Sequence, residues 1–272
     1  MSRLRQELAQ FFDQIPLTRD QVVGYRFIFF TTIAVDAWLR IPFATRPGLC
    51  GFNVAHFEWL DPFLPTPTPL FMRLLQFGQL YLALGAAVGL ATRGWLQLLT
   101  ALYGVSYFIS VSDSYAHHYL GFLLVGMWTF TDQKNLLAVR WPFRLMLVQY
   151  GIVYFWAAVG KITPGWISGE MMFDQELPSW MRLGIFQLSQ AAHLDIVQVW
   201  GFIAQSVVIT EMLLAFAITF NAVRPLLFLV GVGLHFFILF LELRIGQFSW
   251  FMFCAYALVQ HQQPYKERGR QR

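Results

Sequence analysis

Charge is what this chain has least of. Only 12% of its 272 residues are Asp, Glu, Lys or Arg, about half the share usual in a soluble domain. A solvated globular protein is thereby excluded. Cysteine is almost missing as well, with Cys50 and Cys254 alone. Two thiols make neither a disulfide framework nor a cysteine zinc site. One bridge between them stays open, and two unpaired thiols are the simpler reading. No CxxC, HExxH, GxSxG or Walker phosphate loop occurs, so the metal, serine-hydrolase and nucleotide chemistries those motifs serve have no carrier. The net charge of +4 comes mostly from the terminal KERGRQR. That leaves no basic surface for nucleic acid. The first twenty residues hold Glu7, Asp13 and Asp20 and lack the apolar stretch of a secretory signal.

What is there is apolar and aromatic. Hydrophobic residues make up 57% of the chain, including 28 Phe, 10 Trp and 10 Tyr, and the mean hydropathy is +0.52. About 20 apolar residues cross a bilayer as a helix. The runs predict an all-α polytopic membrane protein, a bundle of about eight spans at 24–41, 70–91, 95–113, 118–133, 142–161, 196–220, 223–241 and 246–261. Leu4, Leu8, Phe11, Phe12 and Ile15 share one helix face ahead of Pro16, so an interfacial amphipathic helix is expected in residues 1–20. The bundle then occupies 21–262, and 263–272 is a basic cytoplasmic tail set against anionic lipid headgroups. Loops 42–69 and 162–195 are the longest, and the first is rich in proline.

Lys/Arg placement gives an orientation. Arg3, Arg5, Arg19, Arg93, Lys134, Arg140, Arg144, Arg224, Lys266, Arg268, Arg270 and Arg272 fall on one side of such a bundle. Arg40, Arg46, Lys161, Arg182 and Arg244 fall on the other. The positive-inside rule places both termini in the cytoplasm, with a bacterial inner (plasma) membrane as the expected site.

Ionisable groups inside spans are costly and face protein or water. Lys161 ends the fifth predicted span, and Tyr154 lies two turns earlier on the same face. A desolvated amine is a base near neutral pH. A lysine at a span end also snorkels to the headgroups, and both readings stand. His117 and His118 open the fourth span. Adjacent helical residues diverge by about 100°, so the two histidines are not expected to share one site, and no metal is expected. His235 falls mid-span in VGLHFFILF, where a neutral histidine hydrogen-bonded across helices is the plain alternative. Asp36 and Arg40 are spaced i, i+4 and can pair. Glu211 is expected some 22 Å from the outer end of its helix, by the helical rise. That is too deep for Lys161 and leaves Arg224 as a partner. Asp36, Arg40 and Glu211 are read as structural.

The segment YFWAAVGKITPGWISGE resembles the signature of the HTTM membrane domain, the membrane part of vitamin K-dependent gamma-glutamyl carboxylase and of many bacterial relatives. Tyr154, Phe155, Ala157, Ala158, Lys161, Trp166, Gly169 and Glu170 carry it. HHYLGFLL matches the family's His-x-Tyr-Leu step through His117, Tyr119 and Leu120. LHFFILFLELRIGQFSWFMF matches its late helix pair. The resemblance implies that Lys161 deprotonates a reduced quinone, vitamin K or menaquinone, that His117 assists, and that His235 lines the pocket. Tyr154, Trp166 and His118 are the other pocket candidates. The expected activity is quinol epoxidation or carboxylation of an exported peptide or protein.

The carboxylase carries a large lumenal domain after its bundle, whereas this sequence ends at Arg272. The alternative expectation is therefore a non-catalytic membrane protein that matures or binds an exported peptide or lipid. No inverted repeat of the kind transporters use is visible.

Overall fold

The structure, a computed structural model, describes residues 7, 10–12, 15, 17–43, 58–109, 116–173, 178–220, 225–240 and 246–259. Cys50, Arg224 and the basic tail lie outside that set, and the proposed 1–20 helix is described only at residues 7, 10–12, 15 and 17–20. Among the described residues all regular structure is helical: α1 (Arg19–Arg40), α2 (Pro69–Ala87), α3 (Arg93–Ile109), α4 (Ala116–Trp128), α5 (Trp141–Gly160), α6 (Pro164–Ile167), α7 (Glu170–Phe173), α8 (Ser179–Ala192), α9 (Ile196–Thr219), α10 (Pro225–Phe240) and α11 (Gly246–Leu258), with 3-10 turns at Ile41–Phe43 and Glu58–Phe63.

Local chemistry starts these helices where the apolar runs begin. Thr18 accepts from Gln21 N at 3.3 Å while Gln21 Oε1 accepts from Thr18 N at 2.8 Å. This reciprocal cap satisfies donors that the first turn of α1 leaves open. Asp195 and Gln198 do the same for α9. Thr68 caps α2 and Thr163 caps α6, each followed by a proline in the first turn, where a missing N–H costs nothing.

A helix lies at each of the eight predicted segments. Four of them, α1, α2, α5 and α9, are long and apolar enough to cross a membrane; α10 and α11 are shorter apolar helices. Their outward faces carry large apolar side chains. Trp156 is 64% exposed, Phe202 59% and Leu229 65%. Side chains this size and this exposed fit a hydrocarbon surround and not water. Loop 162–195, read as a loop from sequence, instead holds α6, α7 and the fourteen-residue α8.

The chain divides into two compact units, Met1–Met146 with Trp250–Leu258, and Leu147–Ser249 with Val259–Arg272. In the first, α1 packs on α2, and α3 packs on both α2 and α4. Its core is aromatic: Trp128 stacks on Tyr25 at 5.8 Å and meets Phe143 edge-on at 5.3 Å. Residues 7 and 10–12 are helical. Arg144 Nε donates to Phe11 O at 2.9 Å, and its guanidinium lies 4.5 Å over the Phe11 ring. Arg140 donates to Ile15 O at 3.2 Å.

In the second unit α6, α7, α8 and α10 pack on α9. The turn before α7 rests on α9 backbone at Gly169. A side chain there would meet Gly201 N at 2.3 Å, and φ is +91°, a region open to glycine. Further along, Gly151 lets α5 approach Thr219 and Ala215 of α9.

Candidate functional site

Two polar clusters lie inside the helices, one in each unit. In the second unit Lys161 Nζ donates to both carboxylate oxygens of Glu211, at 2.8 and 2.7 Å, and to Ala157 O at 3.1 Å. Glu211 is not out of reach, which corrects the depth argument. That argument set the outer ends of α5 and α9 at one level. In fact Gly201, in the second turn of α9, meets the turn that follows α6. The helix α9 therefore begins beyond the end of α5, and Glu211 comes level with Lys161. A helical side chain also leans toward its own N-terminus, and the bond to Ala157 shows Lys161 doing so. The snorkelling geometry is thus not adopted: the lysine is only about a quarter exposed and its ammonium turns back to a buried carboxylate.

Trp166 stands beside this pair. Its ring lies 5.6 Å from Lys161 Nζ, close enough for a cation–π contact. Its indole Nε1 is buried with no hydrogen-bond partner among the described residues. Two turns back on α5, Tyr154 OH hydrogen-bonds His235 Nε2 of α10, and His235 Nδ1 meets Ser249 Oγ at 3.2 Å. The two-turn spacing of Tyr154 and Lys161 and the cross-helix partner of His235 follow the sequence reading.

An apolar cavity of about 490 Å³ opens along α8, α9 and α10, lined in part by Leu188, Val199, Phe202, Ile203, Val230 and Phe237. Ile203, Phe237 and Trp166 all pack against one core of Met172, Met181, Trp200 and Ala204. The cavity wall and the lysine's aromatic neighbour therefore share a support.

The first unit holds the other cluster. Arg40 pairs with Asp36 Oδ2 at 2.9 Å, as the i, i+4 spacing predicts. Tyr103 OH donates to the same oxygen at 3.1 Å. Arg40 is fixed in turn by Ser106 Oγ at 3.1 Å and Gln79 Oε1 at 2.9 Å. The other carboxylate oxygen, Oδ1, faces His118 Nε2 at 3.4 Å and His117 Nε2 at 3.7 Å. Both histidines thus reach one group, against the expectation that adjacent helical residues could not. They stand in the first turn of α4, with ring centroids 4.1 Å apart, and both rings reach Asp36 of α1. The expected divergence of the two side chains therefore does not hold for this pair.

Of the sequence candidates, Lys161, Tyr154, Trp166 and His235 belong to one unit, and His117 and His118 to the other. Sequence reasoning took Asp36, Arg40 and Glu211 as structural and passed over Tyr103, Gln79 and Ser249. The available signal was cost: a carboxylate within a span requires a partner, and each of the two has one.

The HTTM domain family model matches residues 21–263. No curated protein and no solved structure matches the chain.

Proposed function

The chain belongs to the HTTM domain family, and on that premise we propose that it is a quinol-dependent, gamma-carboxylase-like enzyme of the bacterial inner membrane, with eight crossings, an interfacial N-terminal helix and both termini cytoplasmic. One observation carries the reading: Lys161 is bound to Glu211 beside an indole N–H that has no hydrogen-bond partner among the described residues.

The Lys161–Glu211 pair accepts one proton by either of two routes. From the ionic form, a quinol O–H gives its proton to the Glu211 carboxylate. From the neutral form, it gives it to the Lys161 amine. Both end in the same state: ammonium, carboxylic acid and a quinol anion, with the negative oxygen beside the ammonium. Stabilisation of that oxygen in a site shielded from water is the main catalytic contribution. Trp166 Nε1 supplies a further donor to a quinol oxygen. The apolar cavity along α8, α9 and α10 takes the isoprenoid tail of vitamin K or menaquinone. His235, held by Tyr154, is a pocket residue on family resemblance and is not one of the side chains lining that apolar cavity. His117 has the assisting role, and His118 is its neighbour, on family resemblance. An exported peptide or protein is the carboxyl acceptor.

The test is quinol epoxidation by the purified protein in lipid. Supplied with dioxygen as oxidant, wild type should form epoxide, and Lys161→Ala should lose roughly 100-fold or more, as removal of a general base does. Glu211→Gln should fall with it. No epoxide from folded wild type, with both quinols supplied, would instead assign the same cavity to binding of a lipid or exported peptide without catalysis.

A further inference from the structure

We propose that Asp36, His117 and His118 form a binding site for a divalent first-row transition-metal ion, with two imidazole nitrogens and one carboxylate oxygen as ligands. The three ligand atoms lie within 4.8 Å of one another, and all three residues are buried.

The spacing of the cluster fits an ion, although His118 Nε2 is also within hydrogen-bond reach of Asp36 Oδ1. Nε2 of His118 and of His117 stand 3.4 and 3.7 Å from the same oxygen. Good hydrogen bonds of this type run about 2.7–3.2 Å. Ligands on bonds of about 2.1 Å, at tetrahedral or octahedral angles, stand roughly 3.0–3.4 Å apart. Both nitrogens stand within a few tenths of an ångström of that spacing from Oδ1, and the three ligand atoms lie within 4.8 Å of one another.

The surroundings fit as well. Asp36 has one oxygen committed to Arg40 and Tyr103. The carboxylate is thereby oriented, with Oδ1 turned to the histidines. An outer shell of this kind sets a ligand's direction in metal sites. It continues through Gln79, which holds Arg40 and is itself anchored on Leu102 O at 2.9 Å. Four helices, α1 to α4, thus converge on one carboxylate.

Chemistry narrows the ligand class. Two imidazoles and one carboxylate suit Zn²⁺ or Fe²⁺ and leave coordination positions open. Two of the three ligands are neutral, and Arg40 already balances Asp36. The ion keeps most of its charge, so the open positions favour an anionic oxygen ligand such as hydroxide, a carboxylate or a phenolate. The site uses neither Lys161 nor Glu211; it shares His117 with the proposed quinol chemistry, and metal uptake is read without quinol turnover.

The experiment uses the full chain in lipid nanodiscs, purified without a polyhistidine tag, washed with chelator and titrated with Co²⁺. Wild type should take up one ion per chain with visible ligand-field bands, and Zn²⁺ should abolish them. His118→Gln, His117→Gln and Asp36→Asn should each lose the bands. Tyr103→Phe should weaken binding about 10-fold through the outer shell. His193→Gln, at an exposed histidine outside the cluster, should bind as wild type does. Absence of bands in wild type overturns the site, and so does their survival in a variant carrying all three substitutions. Should the variants not fold, X-ray absorption on wild type decides: two imidazole nitrogens on the ion support the site, and fewer overturn it.

Discussion

Lys161 and Glu211 show how much one ion pair matters when it sits among helices. Glu211 is buried, and Lys161 is about three-quarters so. Removing one partner strands the other charge, whereas removing both strands nothing. Lys161→Met and Glu211→Leu should each lower stability by roughly 1–3 kcal/mol, the cost of an unsatisfied group. The double variant should recover most of that loss. Thermal unfolding in one detergent measures all four proteins; singles that add in the double would deny the coupling. The Asp36–Arg40 pair was legible because both residues share one helix, where spacing alone fixes proximity. The Lys161–Glu211 pair was not. It depends on how far α9 runs past α5, which is a property of packing between helices. The two histidines were misjudged for a related reason. The 100° rule gives Cβ directions, but a long ring in a first turn can bend back and meet a neighbour's.

At the scale of elements, the sequence located the helices well because composition and caps agree. Thr18, Thr68 and Asp195 stand where the apolar runs begin, and each caps a helix. The miss is α8. Its SWMRLGIFQLSQAA carries Arg182 and several polar residues, so no apolar run marks it, and 162–195 reads as a loop. What orders the region is tertiary: α6, α7 and α8 pack on α9, and Gly169 sits directly on its backbone. Gly169→Ala combines a left-handed φ with contact at 2.3 Å to Gly201 N, so it should cost at least about 2 kcal/mol. Gly184→Ala is the control, because nothing lies within 4 Å of its added Cβ in α8. It should be neutral or stabilising by about 0.5–1 kcal/mol, as alanine is in a helix interior. Since the turn at Gly169 lies three residues from Trp166, the first variant should also slow quinol turnover, and the second should not. Equal stability of the two would mean that the turn does not need its glycine.

For the whole molecule, the bilayer decides how the helices are read. A thirteen-residue helix such as α4 is about 20 Å long, short of the roughly 30 Å of hydrocarbon, while α1 and α9 exceed it. Short helices beside long ones leave room for polar residues, and His117 and His118 stand buried at the first turn of one such short helix, α4. Orientation follows from charge outside the spans, and it can be tested without knowing the substrate. In a background of Cys50→Ser and Cys254→Ala, Lys134→Cys and Gln190→Cys probe the exposed segments on either end of α5. An impermeant maleimide added to intact spheroplasts should label Gln190→Cys and spare Lys134→Cys until the membrane is opened. The reverse pattern would put Lys161 toward the cytoplasm. The proposed carboxyl acceptor would then be a cytoplasmic peptide, because the lysine's end of α5 would no longer face the side to which exported chains are delivered.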